Sequence, residues 1–368
     1  MSKIPDIKRE LLRELRSGKY RPGDAFLPES KLASFFSISR ETLRKAMGEL
    51  VSEGILERQQ GRGTFVKRLA VNRNPLIGLL FLYPSDENAI FSRTIRVLSD
   101  IFSANSYSIV LGFHHNSQEK AREQIERFIQ LNVAGVIITP LLPENDQEAS
   151  LSLLRRLNNV NIPFVLADTT ISPFTKTMFS CVSAGNFQGM LQMINYLTSN
   201  GYTRIAHIGG QPGYQASEER MFGYLEGLRQ ANLPVRPEYI HRISANSAHN
   251  EAREFAVALM SLPEPPQVIT CVYDIMAHAM IEELGAMGID VPAQVGVTGF
   301  DNRTISGTPS NFLTTLEQPI EKMGQELSRI ILEKINGVSQ REEQLELNCQ
   351  LIVRKSCLIP APSSSRQQ

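Results

Sequence analysis

The chain has no tryptophan and four cysteines in 368 residues. Cys181, Cys271, Cys349 and Cys357 lie far apart and form no C-x-x-C pair, which argues against both a disulfide framework and a zinc site. No apolar run is long enough to span a bilayer, and the first ten residues, MSKIPDIKRE, lack the apolar stretch of a secretory signal. The expectation is therefore a soluble cytoplasmic protein with no membrane partner. Enzyme signatures are also missing. IGGQPG (208–213) has neither the G-x-G-x-x-G spacing nor the Lys-Ser/Thr of a nucleotide loop, and reads as a strand-end turn. The six histidines include no H-E-x-x-H, and there is no G-x-S-x-G. No catalytic residue, metal or cofactor is expected.

Charge is balanced in total, with 38 basic and 38 acidic side chains, but not along the chain. Residues 1–68 carry 15 Lys+Arg and 9 Asp+Glu, a net of +6. The remaining 23 and 29 give residues 69–368 a net of −6. A basic small module on an acidic large one points to a polyanion partner for the first alone.

Within residues 1–68 the apolar spacing predicts three helices. The first, over 6–17, places Ile7, Leu11, Leu12 and Leu15 inward and stops at Gly18. The second spans 29–36, with Leu32, Ala33 and Phe36 inward. After a tight connection at 37–39, Ser39 caps a third helix over 40–53. Leu43, Ala46, Met47, Leu50 and Val51 line one face of that helix, and Arg40, Glu41, Arg44 and Lys45 lie away from it. Strands over 55–58 and 64–66 flank Gln60-Gly61-Arg62-Gly63, a hairpin with a cationic tip. Two short helices, the second basic at its start, followed by such a hairpin form a helix-turn-helix with a wing.

These segments resemble the winged-helix domain of GntR-type transcription regulators, above all S-R-x-T-x-R (39–44) with Q-G-R-G-T-F (60–65). The resemblance implies that Ser39, Arg40, Glu41, Thr42 and Arg44 face the major groove and phosphates of duplex DNA, and that Gln60, Gly61 and Arg62 lie along the minor groove. An arginine can fork onto guanine or phosphate, and glycine lets the wing backbone approach the duplex. The family's arginine after the glutamate of the second helix is replaced by Ser30, with Lys31 as the neighbouring cation.

Residues 69–75 read as a linker, and 76–362 as an α/β domain. Strand-like runs at 76–83, 107–113, 133–139, 163–168, 204–209, 267–271 and 294–300 alternate with amphipathic stretches such as 91–105, 118–131, 187–200, 216–231, 248–261 and 275–288. The alternation predicts parallel sheets covered by helices, and the length predicts two lobes with a ligand between them. HIGG (207–210), ER-x-x-GYLEGL (219–228), VGVTGFDN (295–302) and LTTLEQPIEKMGQEL (313–327) resemble the effector-binding core of LacI-type repressors, similar in fold to periplasmic sugar-binding proteins. A GntR-type head on a LacI-type body resembles the arabinose-repressor subgroup of GntR regulators.

That resemblance implies a homodimer, three crossings between lobes, and a ligand-responsive repressor of carbohydrate-use genes. It places lobe 1 at 76–170 and 317–344 and lobe 2 at 171–316 and 345–362, with a tail at 363–368. It carries effector contact onto Phe91, Arg220, Tyr273, Asp274 and Asp301. Asp301 reads either as a hydroxyl acceptor or as a hinge or cap carboxylate. Arg220 reads as an effector donor or an interlobe ion pair, and Phe91 as a stacking ring or a packed one. Tyr273 stands where the family often has asparagine, and Gly185 where it often has aspartate. Both departures point away from a plain monosaccharide. Whether the ligand releases or recruits DNA stays open.

Overall fold

The computed structural model describes residues 4–16, 19–36, 38–67, 74–82, 89–141, 147–171, 178–244, 248–305, 309, 311–339 and 341–357. The chain divides into two compact units, Met1–Asn74 and Pro75–Gln368.

The first unit is built from α1 (Ile4–Arg16), α2 (Glu29–Phe35), α3 (Arg40–Ser52) and the hairpin β1 (Leu56–Gln59) and β2 (Gly63–Val66). Its core is the apolar stripe read from the sequence. Ile7, Leu11 and Leu15 of α1, Leu32 and Ala33 of α2, and Leu43, Ala46, Met47 and Leu50 of α3 are buried together. Leu12, Phe36 and Val51 pack half-buried around them. Ser39 caps α3 as expected, its hydroxyl accepting from Thr42 N at 3.1 Å. Gly54 follows the helix in the left-handed region, with φ of 67°, and ends it. The stop expected at Gly18 lies outside the described residues. Residues 23–26 run against β2 through Gly23 N to Val66 O and Phe26 N to Thr64 O, which braces the hairpin from behind.

The second unit has two parallel sheets. One holds six strands in the order β13-β7-β6-β5-β3-β4. These are β3 (Leu76–Phe81), β4 (Ser108–Phe113), β5 (Gly135–Ile138), β6 (Phe164–Ala167), β7 (Cys181–Ala184) and β13 (Gln344–Leu347). Helices α4 (Ala89–Ala104), α5 (Gln118–Gln130), α6 (Gln147–Asn159) and α11 (Ile320–Ile335) go with it. The other sheet has the order β11-β10-β8-β9, from β8 (Ile205–Gly209), β9 (Ile240–Arg242), β10 (Val268–Cys271) and β11 (Gly296–Thr298). It carries α7 (Asn186–Ser199), α8 (Gln215–Gln230), α9 (Ala248–Met260) and α10 (Asp274–Ala286). An antiparallel pair, β12 (Thr315–Glu317) and β14 (Gln350–Ile352), lies at the junction. The apolar runs predicted as strands form these sheets, buried except at β4, a half-buried edge strand, and the amphipathic stretches are their helices.

The expected lobe limits need correction. Residues 171–184 were placed in lobe 2, yet β7 pairs with β6 and β13 in the six-stranded sheet. The first crossing therefore falls at Gly185 and not at 170. Residues 345–347 were also placed in lobe 2, yet they complete β13, which pairs in parallel with β7. The reason is burial: Val182 and Ala184 fill the lobe-1 core, and only a strand beside β6 brings them there. The remaining crossing passes through Gln318 and Pro319, between β12 and α11.

Candidate functional site

The head presents one cationic face. Arg40, Glu41, Arg44 and Lys45 are exposed on α3, and Lys31 is exposed on α2. Thr42 is half-buried, and its hydroxyl shares a 2.7 Å hydrogen bond with that of Ser39. Lys45 pairs with Glu41 one turn away at 3.3 Å. At the wing, Arg62 N donates to Gln59 O at 3.0 Å, and Gly61 takes a φ of 73°. A β-carbon at Gly61 would meet nothing within 4 Å, so the backbone angle and not crowding calls for glycine there. Arg62 lies 5.7 Å from the Phe65 ring centroid.

Two residues of this face were not singled out in the sequence. Glu29 Oε2 accepts from Arg44 Nε at 3.2 Å and Nη2 at 3.1 Å, and its Oε1 accepts from Arg58 Nη2 at 3.2 Å. One carboxylate thus holds a guanidinium of the recognition helix beside one from the wing strand. A glutamate in the first turn of a helix looks like an ordinary complement to the helix dipole, which is why it drew no notice.

In the second unit the polar residues gather where the strand order reverses. β9 lies on one side of β8 and β10 on the other, so the carboxyl ends of β8 and β10 flank a crevice. The turn after β8 begins α8, which carries Arg220. The turn after β10 brings Tyr273 and Asp274, and the one after β11 brings Asp301. IGGQPG is the strand-end turn expected: a β-carbon on Gly210 would lie 2.1 Å from Ser217 Oγ, so α8 starts this close only against glycine. Gly299 has the same role, since its β-carbon would fall 2.2 Å from Asp274 Oδ1.

Arg220 is buried and fully oriented. Its Nε donates to Asn186 Oδ1 at 2.9 Å, its Nη1 donates to Val272 O, and its guanidinium carbon sits 3.6 Å over the Phe300 ring. Its Nη2 is 3.7 Å from Asp301 Oδ1. Asp301 Oδ1 also accepts from Gln318 Nε2 at 2.7 Å. Burial raises the Asp301 carboxyl to about 6, against the opposing pull of Arg220. Both residues belong to the four-stranded-sheet lobe, so the pair they form lies within one lobe and is not the interlobe ion pair considered for Arg220.

Asp274 is more enclosed. Its Oδ1 accepts from Thr315 Oγ1 at 2.6 Å and its Oδ2 from Arg303 N at 2.6 Å. Burial first and neighbouring Asp301 second push its carboxyl up to about 8. Its Oδ1 serves the junction with β12 and its Oδ2 the loop after β11. Tyr273 is half-buried next to them, and burial pushes its hydroxyl to about 12. Phe91 sits apart, stacked on Phe81 at 5.3 Å within the lobe-1 core.

Asn186, Gln318 and Asp168 were missed as site residues. Asp168 follows β6 with a φ of 72° and receives the Tyr214 hydroxyl at 3.1 Å. Burial raises its carboxyl while Arg220 lowers it. The signal for Asn186 was its place directly after Gly185, already marked as a departure. Its amide supplies the polar contact to Arg220 that Gly185 lacks.

Residues 4–66 match the bacterial regulatory proteins of the gntR family, and residues 194–357 match the periplasmic binding protein-like domain. The chain joins a gntR-type DNA-binding head to a periplasmic binding protein-like domain, as a ligand-responsive transcription regulator does. The regulator is 27% identical over 362 residues to the arabinose metabolism transcriptional repressor of Geobacillus stearothermophilus, covering 97% of this chain and 98% of the relative. It is 26% identical over 320 residues to the HTH-type transcriptional repressor CytR of Escherichia coli K12, covering 86% and 87%. In fold it is similar to a transcriptional regulator CelR–cellobiose complex, with a TM-score of 0.67, 22% identity and coverage of 86% and 90%. It is likewise similar to transcription regulator CcpA of Lactococcus lactis, with a TM-score of 0.66, 22% identity and coverage of 78% and 100%. The regulator is not an enzyme; its α/β body is of the effector-binding type. Among the described residues, no helix is long and apolar enough to cross a membrane.

Proposed function

We propose that this regulator is a cytoplasmic homodimeric repressor that leaves its operator when a small hydroxyl-rich effector closes the body's cleft. The observation that carries the effector reading is the Arg220–Asp301 pair at the crevice. Among the described residues the hydrogen bond to the Asp301 carboxylate falls on Oδ1, and Arg220 Nη2 stands 3.7 Å from that oxygen. An acceptor and a donor therefore stand side by side. A vicinal diol satisfies both, one hydroxyl donating to the carboxylate and the other accepting from the guanidinium. The relatives' names, arabinose metabolism and a cellobiose complex, support a carbohydrate effector. Tyr273, with one hydroxyl on a large ring, narrows the crevice beside Asp274. Screening sugars and sugar acids by thermal shift, followed by operator binding with each hit, tests this reading. A hit that leaves DNA affinity unchanged refutes it.

On the DNA side, Arg40, Arg44 and the hydroxyls of Ser39 and Thr42 enter the major groove, with Lys31 on phosphate. Gln60, Gly61 and Arg62 follow the minor groove. Each good bidentate base contact contributes about 1–3 kcal/mol of discrimination. Arg44→Ala is expected to weaken operator binding at least tenfold, on the order of that contact, and to leave effector affinity unchanged. Fluorescence anisotropy with DNA and calorimetry with effector measure the two separately.

Arg58 belongs to the same face, because Glu29 holds it next to Arg44. With one carboxylate between two guanidinium groups the cluster keeps one net positive charge for a phosphate. Arg58→Ala is expected to lower the slope of log affinity against log salt by about 0.9, the value for one lost phosphate contact. A random-sequence 30-bp duplex is the probe. An unchanged slope places Arg58 in a purely structural role.

A further inference from the structure

Asp168, Thr169 and Thr170 follow β6 in the six-stranded sheet. Tyr214 and Gln215 open α8 on the four-stranded sheet. Every bond between these two groups therefore joins one lobe to the other. Gln215 Oε1 accepts from Thr169 Oγ1 at 2.9 Å, Thr170 N at 3.1 Å and Thr170 Oγ1 at 2.7 Å. The Tyr214 hydroxyl donates to Asp168 Oδ2 at 3.1 Å.

The other end of the same amide runs toward the effector pair. Gln215 Nε2 donates to Glu219 Oε1 at 2.7 Å. Glu219 Oε2 accepts from Asn186 Nδ2 at 3.1 Å, and Asn186 Oδ1 accepts from Arg220 Nε at 2.9 Å. Three donors converge on one end of Gln215 and a carboxylate meets the other, so the amide has a single workable orientation. Glutamate at this position would keep the acceptor but face Glu219 with like charge. Methionine would keep the length and lose both ends.

We propose that Gln215, assisted by Tyr214, is a positioning residue that clasps the two lobes together without ligand and holds Arg220 in its effector-ready orientation. The cleft then closes in the free protein to an extent set by this clasp. A ligand that binds the closed form gains affinity from any closed population already present, and DNA, which binds the open form, loses by the same factor. This consequence for effector and operator rests on the function proposed above; the clasp itself does not. The continuous chain of bonds also gives the lobe-1 threonines a physical route to the guanidinium that meets the effector.

The test needs neither effector nor operator. All four native cysteines are buried, so Arg122→Cys on α5 and Arg253→Cys on α9, both exposed positions, take spin labels selectively in the full chain. Double electron–electron resonance on the ligand-free protein then reads the interlobe distance. Gln215→Met is expected to shift the open-to-closed ratio about tenfold toward open, the scale of one or two net hydrogen bonds. Gln215→Glu shifts it in the same direction although its acceptor is retained. Tyr214→Phe, which deletes one oxygen and keeps the ring packing, gives a smaller shift of the same sign. If Gln215→Met and Tyr214→Phe both keep the wild-type distribution, the clasp is refuted, whatever the sugar screen returns.

Discussion

Arg220→Met is expected to bind no effector at concentrations that saturate the wild type, and to unfold at a markedly lower urea concentration. The side chain is buried and its charge is balanced inside the body. Methionine has nearly the same length and no donor. The substitution leaves Val272 O and Asn186 Oδ1 without their donors and removes the cation from the face of Phe300. It also deprives the buried Asp301 of its nearest cation, leaving the Gln318 hydrogen bond and the more distant charge of Arg303. Breaking one half of a buried ion pair typically costs about 3–5 kcal/mol. Part of that cost disappears if Asp301 takes up a proton, since its carboxyl already sits near 6 and loses the main group holding it down. The loss is therefore expected to be larger at pH 8 than at pH 5. Operator binding of the folded fraction is expected to be at least as tight as wild type, because the variant cannot close on effector. A wild-type urea midpoint at pH 8 would show that the pair contributes nothing to the fold.

The second large effect concerns pH. Asp274 has a folded-state value near 8, well above an ordinary carboxyl group near 4. A group raised in this way favours the protonated native state. Its stabilisation is complete below the unfolded-state value and is lost as pH rises through the folded one. Between pH 4 and pH 8 the body is therefore expected to lose stability, by several kcal/mol if the whole shift is expressed. Asp301, raised to about 6, adds loss in the lower part of the same window. Asp274→Asn keeps an acceptor for Arg303 N and a partner for the Thr315 hydroxyl, but cannot ionise. It is expected to flatten the pH dependence and to exceed the wild type in stability at pH 8. Urea titrations at four pH values measure this, and parallel curves for the two proteins would contradict it.

The parts of the fold legible in the sequence were those with a strong period. The stripe from Leu43 to Leu50 on α3 defines a helix face, and the runs LIGLLF and FVLA are buried on both sides of a sheet. The strands that went unseen carry polar residues on one face. β13 reads QLEL and β9 reads IHR, and both lie at sheet edges where half of each strand faces outward. β7, CVSA, is four residues with a serine in it. Missing these two lobe-1 strands moved two of the crossings. At the site, Arg220 and Asp301 came from the resemblance to LacI-type bodies, with the strand end before Asp301 as a physical rationale. Asn186, Gln215 and Gln318 were not, because nothing local separates an amide that joins two lobes from one that faces water. Glu29 escaped for a similar reason: its partners are 15 and 29 residues further along the chain.

The placement of β13 and β14 also governs how the protein is made. The head is complete once β2 has been synthesised. The six-stranded sheet lacks its edge until β13 exists, and β12 lacks its partner until β14 does. At about 5–20 residues per second, roughly a quarter of a minute to a minute separates the two events on the ribosome. During that interval a folded DNA-reading module is tethered to an effector body that cannot yet close. A newly made chain thus completes its DNA-reading head before its effector-binding body.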